Sequence, residues 1–256
     1  MRNGSAAENR PVLSLSKVSK RFGGVVAANE VSFNLYAGEV LGLIGPNGAG
    51  KTTLINLITG VTPADEGVIT LFERDVTKLP THTRAKLGIV RTFQHPRILD
   101  RCDVYTNLAV GADLASRRRA ATRSGRQARL EQLLELAGLD EVNLRDPIDR
   151  LSYGQQKLLE VVRAMLSEPV VLLLDEPAAG LNRAEMAHIV KLISLATADK
   201  IAVLLIEHAM DLVMSICHRV TVLNFGQQIT TGSPAEVQND PQVIQAYLGG
   251  AASAAR

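Results

Sequence analysis

Cysteine is nearly absent from this chain: Cys102 and Cys217 are the two present, far apart and in neither metal-ligand nor redox spacing. A thiolate metal centre is thereby excluded, and a reducing compartment is expected. Long apolar runs are also missing, since none approaches the ~20 residues that a membrane-spanning helix needs. Any membrane role is therefore expected to come through partners. The stretch from Met1 to Arg10 is polar and lacks the apolar region of a signal peptide. No excess of charge of one sign exists either. With 28 basic against 26 acidic residues there is no general pull toward nucleic acid, and no nucleic-acid partner is expected.

What is present is a chain of 256 residues, 46% hydrophobic, long enough to bury a large core and within the range of one α/β domain. Its most informative stretch is Gly45, Pro46, Asn47, Gly48, Ala49, Gly50, Lys51, Thr52 and Thr53. It follows the apolar run Val40 to Ile44 and precedes the helix-like Leu54 to Ile58. This is a strand, a phosphate-binding loop, then a helix. Glycines let backbone N–H groups turn inward, the helix start adds partial positive charge, and Lys51 supplies a full one for the outer phosphates of ATP. Thr52 can offer its hydroxyl to Mg²⁺. A plain glycine turn would not require Lys followed by Thr.

The second half of such a site lies downstream. Val170 to Leu174 is a fully apolar run, the pattern of a parallel strand covered on both faces, and it ends in Asp175, Glu176 and Pro177. Carboxylates at the C-terminal end of a strand sit where open α/β sheets bind ligands. Asp175 is placed to hold Mg²⁺ through its water shell and Glu176 to orient the attacking water. An N-cap acid is the alternative for Asp175. Between the two halves, Leu151, Ser152, Tyr153, Gly154 and Gln155 precede the helical pattern Leu158, Val161, Val162 and Met165, with Ser152 and Gln155 spaced as a capping box. The helix from Gly154 to about Ser167 would be roughly 21 Å long, which places its start far from the strand it feeds.

Taken together, the phosphate loop, the acid-terminated strand and the Leu-Ser-Tyr-Gly-Gln segment resemble the ATP-binding cassette (ABC) ATPases. The resemblance implies a P-loop ATP-binding cassette fold of the α/β class, with a mixed sheet core, an antiparallel β portion and a helical subdomain. It implies that Ser152, Gly154 and Gln155 form the signature that meets the ATP of a partner subunit. Gln94, after Ile89 to Phe93, looks like the Q-loop glutamine that touches Mg²⁺ or the lytic water. His208, after Ile201 to Glu207, resembles the switch histidine, and Phe22 looks like the aromatic that stacks on adenine. Ala178 to Asn182 occupies the D-loop place, where many relatives end in Asp rather than Asn. Tyr153 stands where Gly is more usual, a change that keeps the backbone N–H.

Expected boundaries are one cassette over 12–249, with core about 12–94 and 167–224, helical subdomain about 95–166 and C-terminal extension 225–249. Flexible ends are expected over 1–11 and 250–256. Strands are expected near 12–18, 31–35, 40–44, 68–72, 89–93, 170–174, 201–206 and 219–223, with helices over 185–197 and 209–217. Met186, Ile189, Val190 and Ile193 have the spacing of a buried helical face. The cluster Arg117, Arg118, Arg119, Arg123, Arg126 and Arg129 reads as a solvated, mobile stretch, with contact to anionic lipid as the sharper alternative.

Within the family, the closer resemblance is to the ATPases of branched-chain amino acid importers. It is carried by Arg91 to Gln94, Leu151 to Gln156, Asp175 to Asn182, Glu207 to Met214 and Val243 to Gly249. Such an assembly implies integral membrane permease subunits, a second ABC ATPase subunit, identical or similar, and an extracytoplasmic substrate-binding protein. The chain would then sit at the cytoplasmic face of the membrane. Urea and short-amide importers resemble the same group. ABC ATPases outside transport usually show two cassettes, zinc-binding cysteines or long coiled coils, none of which is present. A small-molecule kinase sharing only the phosphate loop lacks reason for the signature and for a water-orienting acid.

Overall fold

The computed structural model describes residues 10–116 and 122–253. In chain order, β1 (Leu13–Phe22), β2 (Val25–Leu35), β3 (Val40–Ile44), α1 (Lys51–Thr59), β4 (Glu66–Leu71), β5 (Arg74–Asp75), α2 (Thr81–Leu87) and β6 (Ile89–Arg91) come first. Then follow α3 (Val104–Ser116), α4 (Arg123–Leu136) and α5 (Tyr153–Leu166). The chain closes with β7 (Val171–Asp175), α6 (Arg183–Ala198), β8 (Ala202–Ile206), α7 (Met210–Ile216), β9 (Arg219–Asn224), β10 (Gln227–Gly232), α8 (Pro234–Gln238) and α9 (Pro241–Ser253).

Two sheets result. The antiparallel one has the order β2-β1-β4-β5, and the larger one β10-β9-β3-β8-β7-β6. In the larger sheet the β10–β9 pair is antiparallel and the remaining pairs are parallel. Its central strands lack polar alternation because both faces are covered. Leu41, Leu43, Val171, Leu173, Ala202 and Leu204 pack toward α1 and the antiparallel sheet. Val40, Ile44, Leu172, Leu174, Val203 and Leu205 pack on the opposite side, with α5 and α6.

Helix α1 is anchored at its far end by Arg84 of α2, a fully buried cation. Its Nη1 donates to Leu57 O at 2.6 Å and Ile58 O at 2.8 Å, and its Nη2 to Thr77 O at 2.6 Å. Leu57 and Ile58 belong to the last turn of α1, whose carbonyls lack the full set of helix bonds, and the cation also suits the negative end of the helix dipole. Burial pushes the guanidinium pKa below its ordinary value. The phosphate loop that opens α1 is thus fixed to the core from both ends.

Some elements differ from the sequence expectation. β1 and β2 are longer, because hairpin pairing of Phe22 with Val25 extends them through polar residues. β6 ends at Arg91, since only Ile89, Val90 and Arg91 pair with β7. β10 is formed by Gln227–Gly232 on β9, so the extension supplies a strand to the core sheet. Ile189 and Ile193 are buried while Met186 and Val190 are only partly so. The arginine segment from Arg123 onward is the start of α4, capped by Thr122, with Arg126 exposed. Arg129 there pairs with Asp199 at the end of α6; Arg117, Arg118 and Arg119 lie outside the described residues. Helical backbone of α9 runs to Ser253, into the segment expected to be a flexible tail. Among the described residues no helix is long and apolar enough to cross a membrane.

Candidate nucleotide site

The phosphate loop leaves the C-terminal end of β3 between β8 and β9. Gly45 and Gly50 are required by close backbone approach. A Cβ on Gly45 would stand 2.1 Å from Leu223 O, and one on Gly50 2.3 Å from Ala27 O. Gly226 N, in the β9–β10 turn, donates to Ala49 O at 2.9 Å. Lys51 is buried, and its Nζ donates to Gly45 O at 2.7 Å and Pro46 O at 3.0 Å. Desolvation lowers its pKa, while the negative charges of Glu176 and Asp175 pull it upward. The ammonium is therefore stored inside its own loop, near both acids. Thr52 and Asn47 are exposed at the loop. Phe22 is 49% exposed on the β1–β2 hairpin, whose Ala27 abuts Gly50, and Lys20 Nζ lies over its ring at 5.4 Å from the centroid.

Across the sheet, three of the expected residues meet. Gln94 Nε2 donates to Glu176 Oε2 at 2.8 Å, and His208 Nε2 lies 2.9 Å from Glu176 Oε1. Glu176 itself has a φ of 49°, a left-handed backbone unusual for a residue with a side chain. Three contacts hold that geometry: its N–H donates to Ile206 O at 2.9 Å, Ala179 N donates to its carbonyl at 3.2 Å, and Lys157 Nζ donates to the same carbonyl at 2.6 Å. Asp175, next to it, is buried and paired with Arg91 at 2.7 Å. Arg91 also donates through Nη1 to Asn56 Oδ1 of α1 at 2.6 Å, tying the acid strand to the phosphate-loop helix. Glu207, likewise buried, accepts from Ala178 N at 2.7 Å and His208 N at 3.1 Å.

The roles of Lys157, Arg91 and Glu207 were not anticipated. Lys157 belongs to a polar row on α5 made of Tyr153, Lys157, Glu160 and Arg163, spaced by four, three and three residues, which places them on one face. Glu160 accepts from Phe93 N at 3.3 Å and Arg97 N at 3.0 Å, and Arg163 Nη2 donates to Arg97 O at 2.5 Å. Gln94 therefore stands in a loop held by α5 on both sides. That helical spacing was readable in the sequence, beneath the apolar pattern that drew notice first. Burial raises the Glu160 carboxyl pKa and lowers that of Lys157.

The signature turn is built as its spacing implied. Ser152 Oγ accepts from Gln155 N at 3.2 Å, and Gln155 Oε1 accepts from Ser152 N at 2.9 Å. Gln155 thus spends its side-chain oxygen on the cap. Side chains of the first turns of α5 do, however, reach the Glu176 end of β7, closer to the strand that α5 feeds than its length suggested. Lys157 there meets Glu176, next after β7, and the Tyr153 hydroxyl lies 3.5 Å from Gln94 O. Asn182 is the N-cap of α6, in a capping box with Glu185.

A glycine cradle with a stored lysine, and paired acids at a strand end two places away in the sheet, define a P-loop nucleoside triphosphatase. The comparisons narrow this. Residues 28–179 match the family model described as ABC transporter, and residues 227–253 match that of the branched-chain amino acid ATP-binding cassette transporter. The chain belongs to the ABC transporter family, as an ATP-binding subunit whose ATPase activity is coupled to transport. It is 41% identical over 252 residues to the high-affinity branched-chain amino acid transport ATP-binding protein LivG of Salmonella typhimurium, covering 94% of this chain and 99% of that one. It is 41% identical to the corresponding protein BraF of Pseudomonas aeruginosa, with the same coverage. The crystal structure of the ADP conformation of an ATP-binding cassette of an ABC transporter superposes with a TM-score of 0.81. That structure is 32% identical, with 94% of this chain and 100% of that chain covered.

Proposed function

We propose that this chain is the energy-coupling ATPase of an importer for branched-chain amino acids, working at the cytoplasmic face of the membrane. The observation that carries the cargo is the match of residues 227–253 to the branched-chain family model, together with 41% identity to LivG across nearly the full length. Identity alone does not decide it, because the lipopolysaccharide export ATP-binding protein LptB of Acidithiobacillus ferridurans is 38% identical over 240 residues.

In this reading Lys51 leaves the carbonyls of Gly45 and Pro46 to meet the outer phosphates, and the loop amides from Gly45 to Thr53 cradle the rest. Phe22 stacks on the adenine. Glu176, held between Gln94 and His208, aligns water and accepts its proton, and His208 contacts the γ-phosphate. Thr52, Gln94 and Asp175 offer oxygen donors, the set that magnesium prefers, and would hold the ion. Bound with ATP, it would supply charge neutralisation at the phosphates. Ser152, Gly154 and Gln155 serve the nucleotide of a second cassette, identical or similar to this one.

Permease contact is supported by a groove of about 230 Å³ between the core and the helical region. Val61 and Val110 line it and are exposed, and Phe93, also in its wall, adjoins Gln94. A substrate-binding protein outside the membrane completes the assembly. Deleting the gene in its host and following radiolabelled leucine, isoleucine and valine, with urea and short amides in parallel, tests the reading. Loss of branched-chain uptake alone is expected. Loss confined to urea or amides would overturn the cargo while leaving the ATPase intact.

A further inference from the structure

Tyr153 occupies the first helical position of α5, where a glycine would contribute no side chain. The residue is 43% exposed, and its ring rests against neighbouring segments of its own chain. Gly180, at a φ of 78°, faces the ring so closely that a Cβ there would stand 3.2 Å from Tyr153 Cε1. The hydroxyl donates toward Gln94 O at 3.5 Å. Beneath the ring lies Lys157, its Nζ 5.8 Å from the centroid and bonded to the Glu176 carbonyl. Next to it, a Cβ on Gly154 would meet the Glu185 carboxylate at 2.1 Å, and Glu185 caps the α6 start just beyond Asn182. One side chain thus touches the segments that carry Gln94, Gly180 and, through Lys157, Glu176.

We propose that Tyr153 is a positioning residue that fastens the signature turn to the Gln94 loop and the 178–182 loop of its own chain. The three segments then keep one register around Glu176. A glycine at position 153 would keep the backbone N–H and the cap but release this register. The role differs from phosphate binding, since neither the ring nor the hydroxyl is required to touch nucleotide.

The test compares Tyr153→Phe, Tyr153→Gly, Gly180→Ala and the double variant Tyr153→Gly with Gly180→Ala. Binding of a fluorescent ATP analogue, ATPase kcat and KM, and thermal midpoint are measured for each. Tyr153→Gly should lower kcat by about tenfold with KM and analogue binding within about twofold of the parent, and Tyr153→Phe, which keeps the ring against Gly180 and Lys157 but loses the bond to Gln94 O, should recover part of that loss. Gly180→Ala should impair turnover less in the Tyr153→Gly background than in the parent, because the ring it meets is gone. Turnover of Tyr153→Gly equal to the parent, or strictly additive effects of the two substitutions, would overturn the role. A loss of kcat that Tyr153→Phe fails to recover would also overturn it, by removing the ring from the explanation.

Discussion

The two halves of the nucleotide site are held by different means. The phosphate loop is set chiefly by backbone: glycine close approaches, strand β3 and a lysine bonded to carbonyls five and six residues away. The half around Glu176 is set by side chains that arrive from distant segments. Gln94 reaches Glu176 across 82 positions, His208 across 32 and Lys157 across 19. Both halves draw on distant segments, the loop through backbone approaches of Leu223, Ala27 and Gly226; backbone packed in a formed sheet stays in place, whereas side chains can change rotamer and partner when neighbouring elements shift. The difference suits an enzyme that must bind ATP steadily and hydrolyse it conditionally.

Substitutions can break that contrast from either side. Glu176→Gln should bind ATP normally and lose about 10²- to 10⁴-fold in phosphate release, the usual range for a group that takes the water's proton; turnover near the parent's would remove Glu176 from that role. Arg91→Leu leaves the buried Asp175 carboxylate unpaired and should cost about 3–5 kcal/mol in denaturant unfolding. A cost near zero there would mean that Asp175 is stabilised from elsewhere. Lys51→Ala should weaken binding of a fluorescent nucleotide by about 10- to 100-fold through loss of a charge-assisted contact, with the fold unchanged by circular dichroism.

The smallest effect concerns the clamp on the Gln94 loop. Because burial raises the Glu160 pKa, the folded chain keeps a proton there that the unfolded chain releases near pH 4.5. This contribution to stability is fully present below the unfolded value and is lost as pH rises through the folded one. Glu160→Gln should flatten that decline in denaturant midpoints taken from about pH 4 to 7. A parent curve that rises instead would show that the bonds from Phe93 and Arg97 outweigh desolvation.

The same contrast explains what could be read in advance. Gly45 to Thr53 and the Val171–Asp175 strand were legible because local geometry demands those residue types in a row. The capping box of Ser152 and Gln155 was legible for the same reason. Gln94 and His208 were found through family resemblance, and the structure brings both onto Glu176. The roles of Arg91 and Lys157 were not foreseen because nothing near them in sequence states their partners. An arginine ending a strand and a lysine in a helix look like ordinary surface residues until Asp175 and the Glu176 carbonyl are placed beside them. The strand at Gln227–Gly232 escaped for a related reason: it is polar and only partly buried, and pairing with β9 rather than hydrophobic pattern makes it a strand.

The position of β3 in the sheet also bears on how the protein is made. Its two neighbours, β8 and β9, both begin after residue 200, and Leu223 and Gly226 pack against the loop that β3 feeds. During synthesis the phosphate loop leaves the ribosome early, yet the strand beneath it has no partner until most of the chain has followed. A truncated product that carries the whole motif but stops before β8 should therefore bind no nucleotide. Competence for ATP arises only once β8 and β9 have been made, and the ligand can then report that the central sheet has closed around β3.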